Sequence, residues 1–215
     1  MLTERKDAGR ALTAVEESAL LEATRQTESA CHTATVLALN TAMRKVEIRQ
    51  LRRAQIDWQQ RSVTVGKSKT PTGTDRVISL NASALQALAE WARRFPNTEP
   101  KHYVFPCGEN QQYDPSKPTK GCRTAWRRAL KRAGLRCRFH DLRVTFITKL
   151  AEGQASEQTI MAIAGHISRR MLEHYSQIRM NAMRQVLEAL AKAPETVVST
   201  TVLALDVNQN ANQIQ

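Results

Sequence analysis

His140-Asp141-Leu142-Arg143, then Gly165-His166, then Tyr175 nine residues after that histidine: the reading of this chain turns on these three pieces. On a helix, His140 and Arg143 are three positions apart and project from one face. Leu142, Phe146, Ile147 and Leu150 can bury the opposite side. The pattern predicts a helix that packs with one face and holds an anion with the other. Tyr175 adds a phenol, which can act as a covalent nucleophile once cations and hydrogen-bond donors surround its transition state. A phosphodiester suits such a pocket. A guanidinium bonds two phosphate oxygens at once through its planar fork, which an ammonium cannot do. Arg143 supplies one such fork, and the second must come from elsewhere in the chain.

Outward from this stretch the sequence is strongly basic. From Lys120 to Lys149 there are ten basic residues, Lys120, Arg123, Arg127, Arg128, Lys131, Arg132, Arg136, Arg138, Arg143 and Lys149, against the single acid Asp141. A merely solvated helix face mixes signs; a one-sign run of this length is the footprint of a nucleic-acid partner, whose counterions are released when phosphates meet Lys and Arg. The whole chain agrees, with a formal net charge of +12 and a pI near 10.1. Its 215 residues, 41% apolar, are enough for one substantial core. No apolar run approaches the roughly 20 residues that span a bilayer, which excludes a membrane helix. Cys31, Cys107, Cys122 and Cys137 form no CxxC pair, have no histidine at zinc-finger spacing and follow no signal peptide, so reduced thiols in a cytoplasm are expected.

Periodicity and capping residues divide the chain into elements. Thr13-Ala14-Val15-Glu16 has the form of a capping box and predicts a helix from Ala14 to Thr27. A second apolar helix passes through Ala34, Val36, Leu37 and Leu39, turns at residues 40–42, and is followed by a helical piece carrying Arg44, Glu47 and Leu51. The period then changes to two: Gln55–Trp58, Ser62–Val65 and Arg76–Leu80 predict a small antiparallel sheet, with Thr70-Pro71-Thr72-Gly73-Thr74-Asp75 supplying turn chemistry. Helix resumes after Asn81 and ends at Phe95-Pro96. Residues 97–118, rich in Pro, Asn and Gln, are expected to be loop with one buried stretch at Tyr103–Phe105. Three helices follow, 121–133, 140–151 and 157–164, each expected to close on a left-handed glycine at Gly134, Gly153 and Gly165. A last helix is expected over 180–192, and the tail beyond it, with no Lys or Arg from Pro194 onward, is expected to be disordered or a docking arm.

The ordered series HxxR, GH and Tyr, preceded by Thr41-Ala42-Met43-Arg44 with Glu47, resembles the signature of the tyrosine recombinase (phage integrase) family over residues 10–192. The resemblance implies a mainly helical α+β catalytic domain with a small three-stranded sheet. It implies catalytic roles for Arg44, Arg143, His140 and His166, a nucleophilic Tyr175, and a supporting Glu47. It also implies a lysine near the turn of a β-hairpin that protonates the departing 5′-oxygen. In Val65-Gly66-Lys67-Ser68-Lys69-Thr70 this role falls to Lys69, with Lys67 as the alternative and a DNA contact otherwise. Lys120, Arg123, Arg127, Arg128 and Lys131 are the expected DNA-binding residues. Two positions depart from the family pattern, Ala42 and Val46, where glycine is usual.

The activity implied is cutting and rejoining of double-stranded DNA through a 3′-phosphotyrosyl link, with no cofactor and no metal, in a homo-oligomer, a tetramer on DNA. Residues 1–11 are expected to be an extension, 12–192 the catalytic domain and 193–215 a tail, without the family's N-terminal core-binding domain. Two alternatives stand beside this reading: a type IB topoisomerase-like relaxation of the same strand, and a DNA-binding remnant that does not cleave.

Overall fold

The computed structural model describes residues 9–27, 29–66, 74–109, 112–167, 171, 173, 175, 176, 180, 183–185, 187, 188 and 190. Helix α1 (Ala14–Arg25) opens on the expected capping box: the Thr13 hydroxyl accepts from the Glu16 amide, and the Glu16 carboxylate accepts from the Thr13 amide at 2.9 Å. Helix α2 (Ala30–Thr41), capped by Ser29, is buried almost throughout and packs against α1 and three later helices. Its buried threonines are satisfied without solvent: Thr35 donates to the Cys31 carbonyl at 2.7 Å and Thr41 to the Leu37 carbonyl at 2.6 Å.

A short helix α3 (Lys45–Arg49) and a 3-10 turn (Arg53–Gln55) lead into a three-stranded antiparallel sheet of β1 (Ile56–Asp57), β2 (Ser62–Thr64) and β3 (Val77–Ser79), in that order. Val63 pairs with Ile56 on one side and Ile78 on the other, and all three face the core. Helix α4 (Ala82–Ala92), capped by the Asn81 side chain, closes this half.

Two expectations fail here. Residues 97–118 are not all loop: β4 (Pro106–Glu109) and β5 (Gln112–Pro118) form a second, two-stranded sheet. Prolines argued against strands, but both members of a two-stranded sheet are edges, where a missing N–H is tolerated, and the ladder shifts register between Pro106 and Cys107. The helix closures also differ. Gly134 takes the left-handed conformation (φ +66°), but Gly153 has φ −75° and the left-handed residue is its neighbour Gln154 (φ +62°).

After α5 (Arg123–Ala133) come α6 (Phe139–Glu152) and α7 (Glu157–Ala164). Two apolar clusters hold the body together. The larger joins Leu20, Leu37, Leu39, Met43, Leu51, Val63, Ile78, Leu88, Phe105 and Leu142; the smaller joins Ala42, Ile147, Ala151, Ile160, Ala164, Ile167 and Tyr175. No helix among the described residues is long and apolar enough to cross a membrane, and the four cysteines are free thiols. Tail residues 193–215 lie outside the described residues, and of the expected 180–192 helix the backbone is helical at the seven described positions.

Candidate active site

The site is built on the turn that ends α2. Ala42 is fully buried and left-handed (φ +53°, ψ +16°), a conformation that costs a residue with a Cβ about 1–2 kcal/mol. This is one of the two positions where glycine was expected, so the turn keeps its form with alanine in place. Its carbonyl points at α6, where Arg143 Nη1 donates to it. Two residues on, Arg44 caps α3: its amide donates to Glu47 Oε2 at 2.8 Å and its Nη1 to Glu47 Oε1 at 2.9 Å. Val46, the second departure, is half-exposed on α3, and a side chain there meets no obstacle.

Helix α6 differs from the expected two-faced helix. Asp141, Leu142, Arg143, Val144 and Thr145 are all buried in succession, because α2 packs along it and residues near the start of the chain cover it; the Leu12 amide donates to Thr145 Oγ1 at 2.9 Å. Asp141 is a helix cap, accepting from the Arg138 amide at 2.8 Å. Arg143 is 4% exposed, and burial first, then the neighbouring Arg44, lowers its pKa to about 10, so it stays charged at neutral pH. His140 reaches the surface. Desolvation of its ring holds its pKa below the usual histidine value; Arg143, Arg138 and Arg44 act in the same direction, and Asp141 opposes them.

Gly165 ends α7 with φ +74° and ψ −143°, a backbone conformation that favours glycine, and turns the chain so that the His166 carbonyl faces the arginines. Arg44 Nη2 donates to that oxygen at 3.2 Å and Arg143 Nη2 at 3.3 Å. Two guanidinium groups from distant parts of the chain thus converge on one atom. The His166 side chain itself is exposed. Tyr175, on helical backbone, is 2% exposed within the smaller apolar cluster. Burial pushes its phenol up to about 12, and the charge of Arg143 pulls the other way.

A further member was not singled out from sequence. Arg76, 8% exposed, places Nη2 2.7 Å from Glu47 Oε2 and Nη1 3.3 Å from Glu47 Oε1, and its Nε donates to the Ile163 carbonyl at 3.0 Å. Its signal was the strand period. Arg76, Ile78 and Leu80 share the inward face while Val77 and Ser79 point out; an arginine in an inward register needs a buried carboxylate. The cluster then holds three guanidiniums, Arg44, Arg76 and Arg143, around the one carboxylate of Glu47, an excess of positive charge suited to a phosphate.

The expected DNA-contacting residues Lys120, Arg123, Arg127, Arg128 and Lys131 are all exposed, the last four on α5, whose Ala129 is buried and whose Trp126 stacks edge-on against Phe139. Lys67 and Lys69 lie outside the described residues. Their connection is bracketed by Val65, whose amide donates to the Arg76 carbonyl at 2.9 Å.

Known proteins resemble this chain. An integrase of Salmonella phage P22 is 25% identical over 183 residues, covering 80% of this chain and 44% of the relative. The shufflon-specific DNA recombinase of Escherichia coli is 31% identical over 192 residues, covering 88% and 46%. The chain therefore spans less than half the length of either relative. Among solved structures, the XerA recombinase has a TM-score of 0.65 at 21% identity, covering 86% of this chain and 66% of that one. The catalytic domain of bacteriophage HP1 integrase has 0.59 at 14% identity, covering 84% and 95%. These last two likenesses establish the fold. The phage integrase family model matches residues 10–182, and the chain belongs to that family.

Proposed function

We propose that this chain cuts and rejoins double-stranded DNA by two successive transesterifications, as a site-specific recombinase or integrase. The observation that carries the reading is the convergence of Arg44 and Arg143 on the His166 carbonyl, with the Tyr175 phenol inside the field of Arg143. Two guanidinium forks side by side can hold both non-bridging oxygens of a phosphate and neutralise the charge that builds up in the pentavalent state.

In the first step the Tyr175 oxygen bonds to phosphorus while the bond to the 5′-oxygen breaks. The phenol proton passes to a base, for which the neutral imidazole of His140 is available, and the leaving oxygen takes a proton from Lys69. A 5′-hydroxyl from another strand then reverses the step and releases the tyrosine. The exposed bases of α5 bind the duplex, and the relatives support this partner, since a transposon Tn1549 integrase with a TM-score of 0.63 to this chain is in complex with transposon right end DNA. Assembly on DNA is as a homo-tetramer, in the cytoplasm.

The test is a DNA substrate nicked near the cleavage position, so that the short 5′-hydroxyl fragment diffuses away and the covalent adduct accumulates. An adduct seen on denaturing gels and lost in Tyr175→Phe supports the proposal. An adduct that persists in that variant eliminates the nucleophile, and no adduct at any site from a matched genomic library leaves a DNA-binding protein that does not cleave.

A further inference from the structure

Arg76 takes no part in the chemistry just described, yet from a nearly buried position it makes three directed hydrogen bonds to the described residues Glu47 and Ile163. Its two Nη atoms grip both oxygens of Glu47, and its Nε reaches the Ile163 carbonyl. Each end of this bridge leads to the point where Arg44 and Arg143 converge. Glu47 is the residue that holds Arg44, accepting from its amide and its guanidinium. With Arg76 added, each carboxylate oxygen accepts from two donors among the described residues, which leaves the carboxylate firmly held. Ile163 is in the last turn of α7, where carbonyls have no partner within the helix and a cation is favoured. Three residues later comes the His166 carbonyl on which Arg44 and Arg143 meet.

We propose that Arg76 is a positioning residue for DNA cleavage: it fixes the Glu47–Arg44 turn and the α7–His166 segment in one frame, and so sets the spacing between the two phosphate-binding guanidiniums. Only an arginine can do this. The three donors stand in the fixed geometry of a planar fork, and a lysine ammonium on a flexible stem cannot face the carboxylate and the carbonyl with the same reach. The inference rests on the cleavage reading for its consequence, but not for its geometry.

The experiment compares the whole chain with Arg76→Lys, which keeps the charge. Three quantities are measured: affinity for a labelled duplex, single-turnover adduct formation at saturating DNA, and amide hydrogen exchange over residues 163–167. The expected result is affinity within about threefold of the parent and adduct formation slower on the order of 100-fold, the size of effect that misplacing reacting groups by an ångström brings. Exchange at residues 163–167 should speed up in free protein.

Because Arg76 acts through Glu47, the same substitution in a Glu47→Gln background should cost less than about threefold in rate, whereas independent damage would multiply. Arg76→Gln, which keeps a donor for the Ile163 carbonyl, takes the place of Arg76→Lys if the latter does not fold. The proposal is overturned if adduct formation stays within about threefold of the parent, or if the cost in the Glu47→Gln background equals that in the parent. Should the parent itself form no adduct, the cleavage reading falls; unchanged exchange at residues 163–167 would then overturn the positioning role as well, and faster exchange would uphold it.

Discussion

The arginine cluster and the tyrosine nook meet at Ala42, and they are built on opposite principles. On one side Arg44, Arg76 and Arg143 are held by directed bonds to Glu47, the Ala42 and His166 carbonyls and the Ile163 carbonyl. On the other, Tyr175 sits among Ala42, Ile147, Ala151, Ile160, Ala164 and Ile167. The cations are already in place, so an arriving anion meets a site that needs little reorganisation. Tyr175 is the reverse case. Its apolar surroundings favour the neutral phenol, with a pKa near 12, and the charge of Arg143 favours the anion. In the proposed reaction the positive charge is thus prepared in advance, while the tyrosine oxygen rests in surroundings that favour its neutral form.

The contrast breaks most severely at Glu47. Its side chain is 3% exposed and that of Arg76 6%, so Glu47→Ala takes the shared carboxylate away from buried cations. Removing one partner of such a pair destabilises by about 3–5 kcal/mol. Denaturant unfolding should show a loss of that size, together with loss of adduct formation. A loss below about 1 kcal/mol would mean that solvent already shares the pair, and that the cluster is less rigid than its bonds imply.

Next in size is the shared turn. Ala42 is fully buried at φ +53°. Ala42→Val puts a β-branched side chain in a left-handed conformation and crowds both regions at once, with an expected loss of about 2–4 kcal/mol. Ala42→Gly relieves the conformation but gives up a buried methyl and adds freedom to the unfolded chain, so its net change should stay within about 1 kcal/mol. Thermal unfolding of the two variants separates backbone strain from packing. Equal losses in both would show that the methyl, not the φ angle, matters.

The same two regions were unequally legible in the sequence. Local signals carried well: the Thr13–Glu16 box, the Asn81 cap, the three β-branched strands and the Gly134 closure all lie within a few residues of what they determine. The motif residues Arg44, Glu47, Arg143, His166 and Tyr175 are linked in the fold through direct bonds, shared carbonyls or charge. What periodicity hid was tertiary. Residues near Leu12 and helix α2 enclose α6 on both sides, so Arg143 lies inside the body rather than on an open face. The β4–β5 hairpin was hidden by its own prolines. The strand period places Arg76 inward, but its partner Glu47 is 29 positions away, so the local pattern does not show which carboxylate it meets.

A milder change sharpens the comparison from the tyrosine side. Tyr175→Phe keeps the ring that fills the nook and removes only the hydroxyl, so stability should change by no more than about 1.5 kcal/mol. Adduct formation should be lost completely. Ile160→Ala, in the same cluster and 1% exposed, should do the opposite: a loss of about 2–4 kcal/mol from the cavity, with a functional nucleophile still present. If Tyr175→Phe destabilised as much as Ile160→Ala, the hydroxyl would be a structural bond and the nook would not be an apolar rest site.

The smallest effect tests how far the field of the arginine cluster extends. His140 has its pKa lowered first by desolvation and then by Arg143, with Arg138 and Arg44 adding to it. A cation nearby disfavours a protonated imidazole, so removing one must raise the pKa. Arg143→Gln should therefore move the His140 midpoint upward in an NMR titration. It should not reach the ordinary histidine value of about 6.5, because desolvation, the larger cause, remains. Stability follows the same sign. Below the ordinary histidine value the unfolded chain takes up a proton before the folded one does, so the folded state loses stability as pH falls through that window. The parent should lose more over that range than Arg143→Gln, whose folded and unfolded midpoints lie closer together. If His140 accepts the phenol proton, adduct formation needs the neutral ring. Its rate should then fall only at pH below the ordinary histidine range in the parent, and at a higher pH in Arg44→Gln, measured among whatever residual activity that variant retains. A midpoint that moved downward in Arg143→Gln would show that the ring answers to solvent rather than to the guanidiniums, and would detach His140 from the cluster altogether.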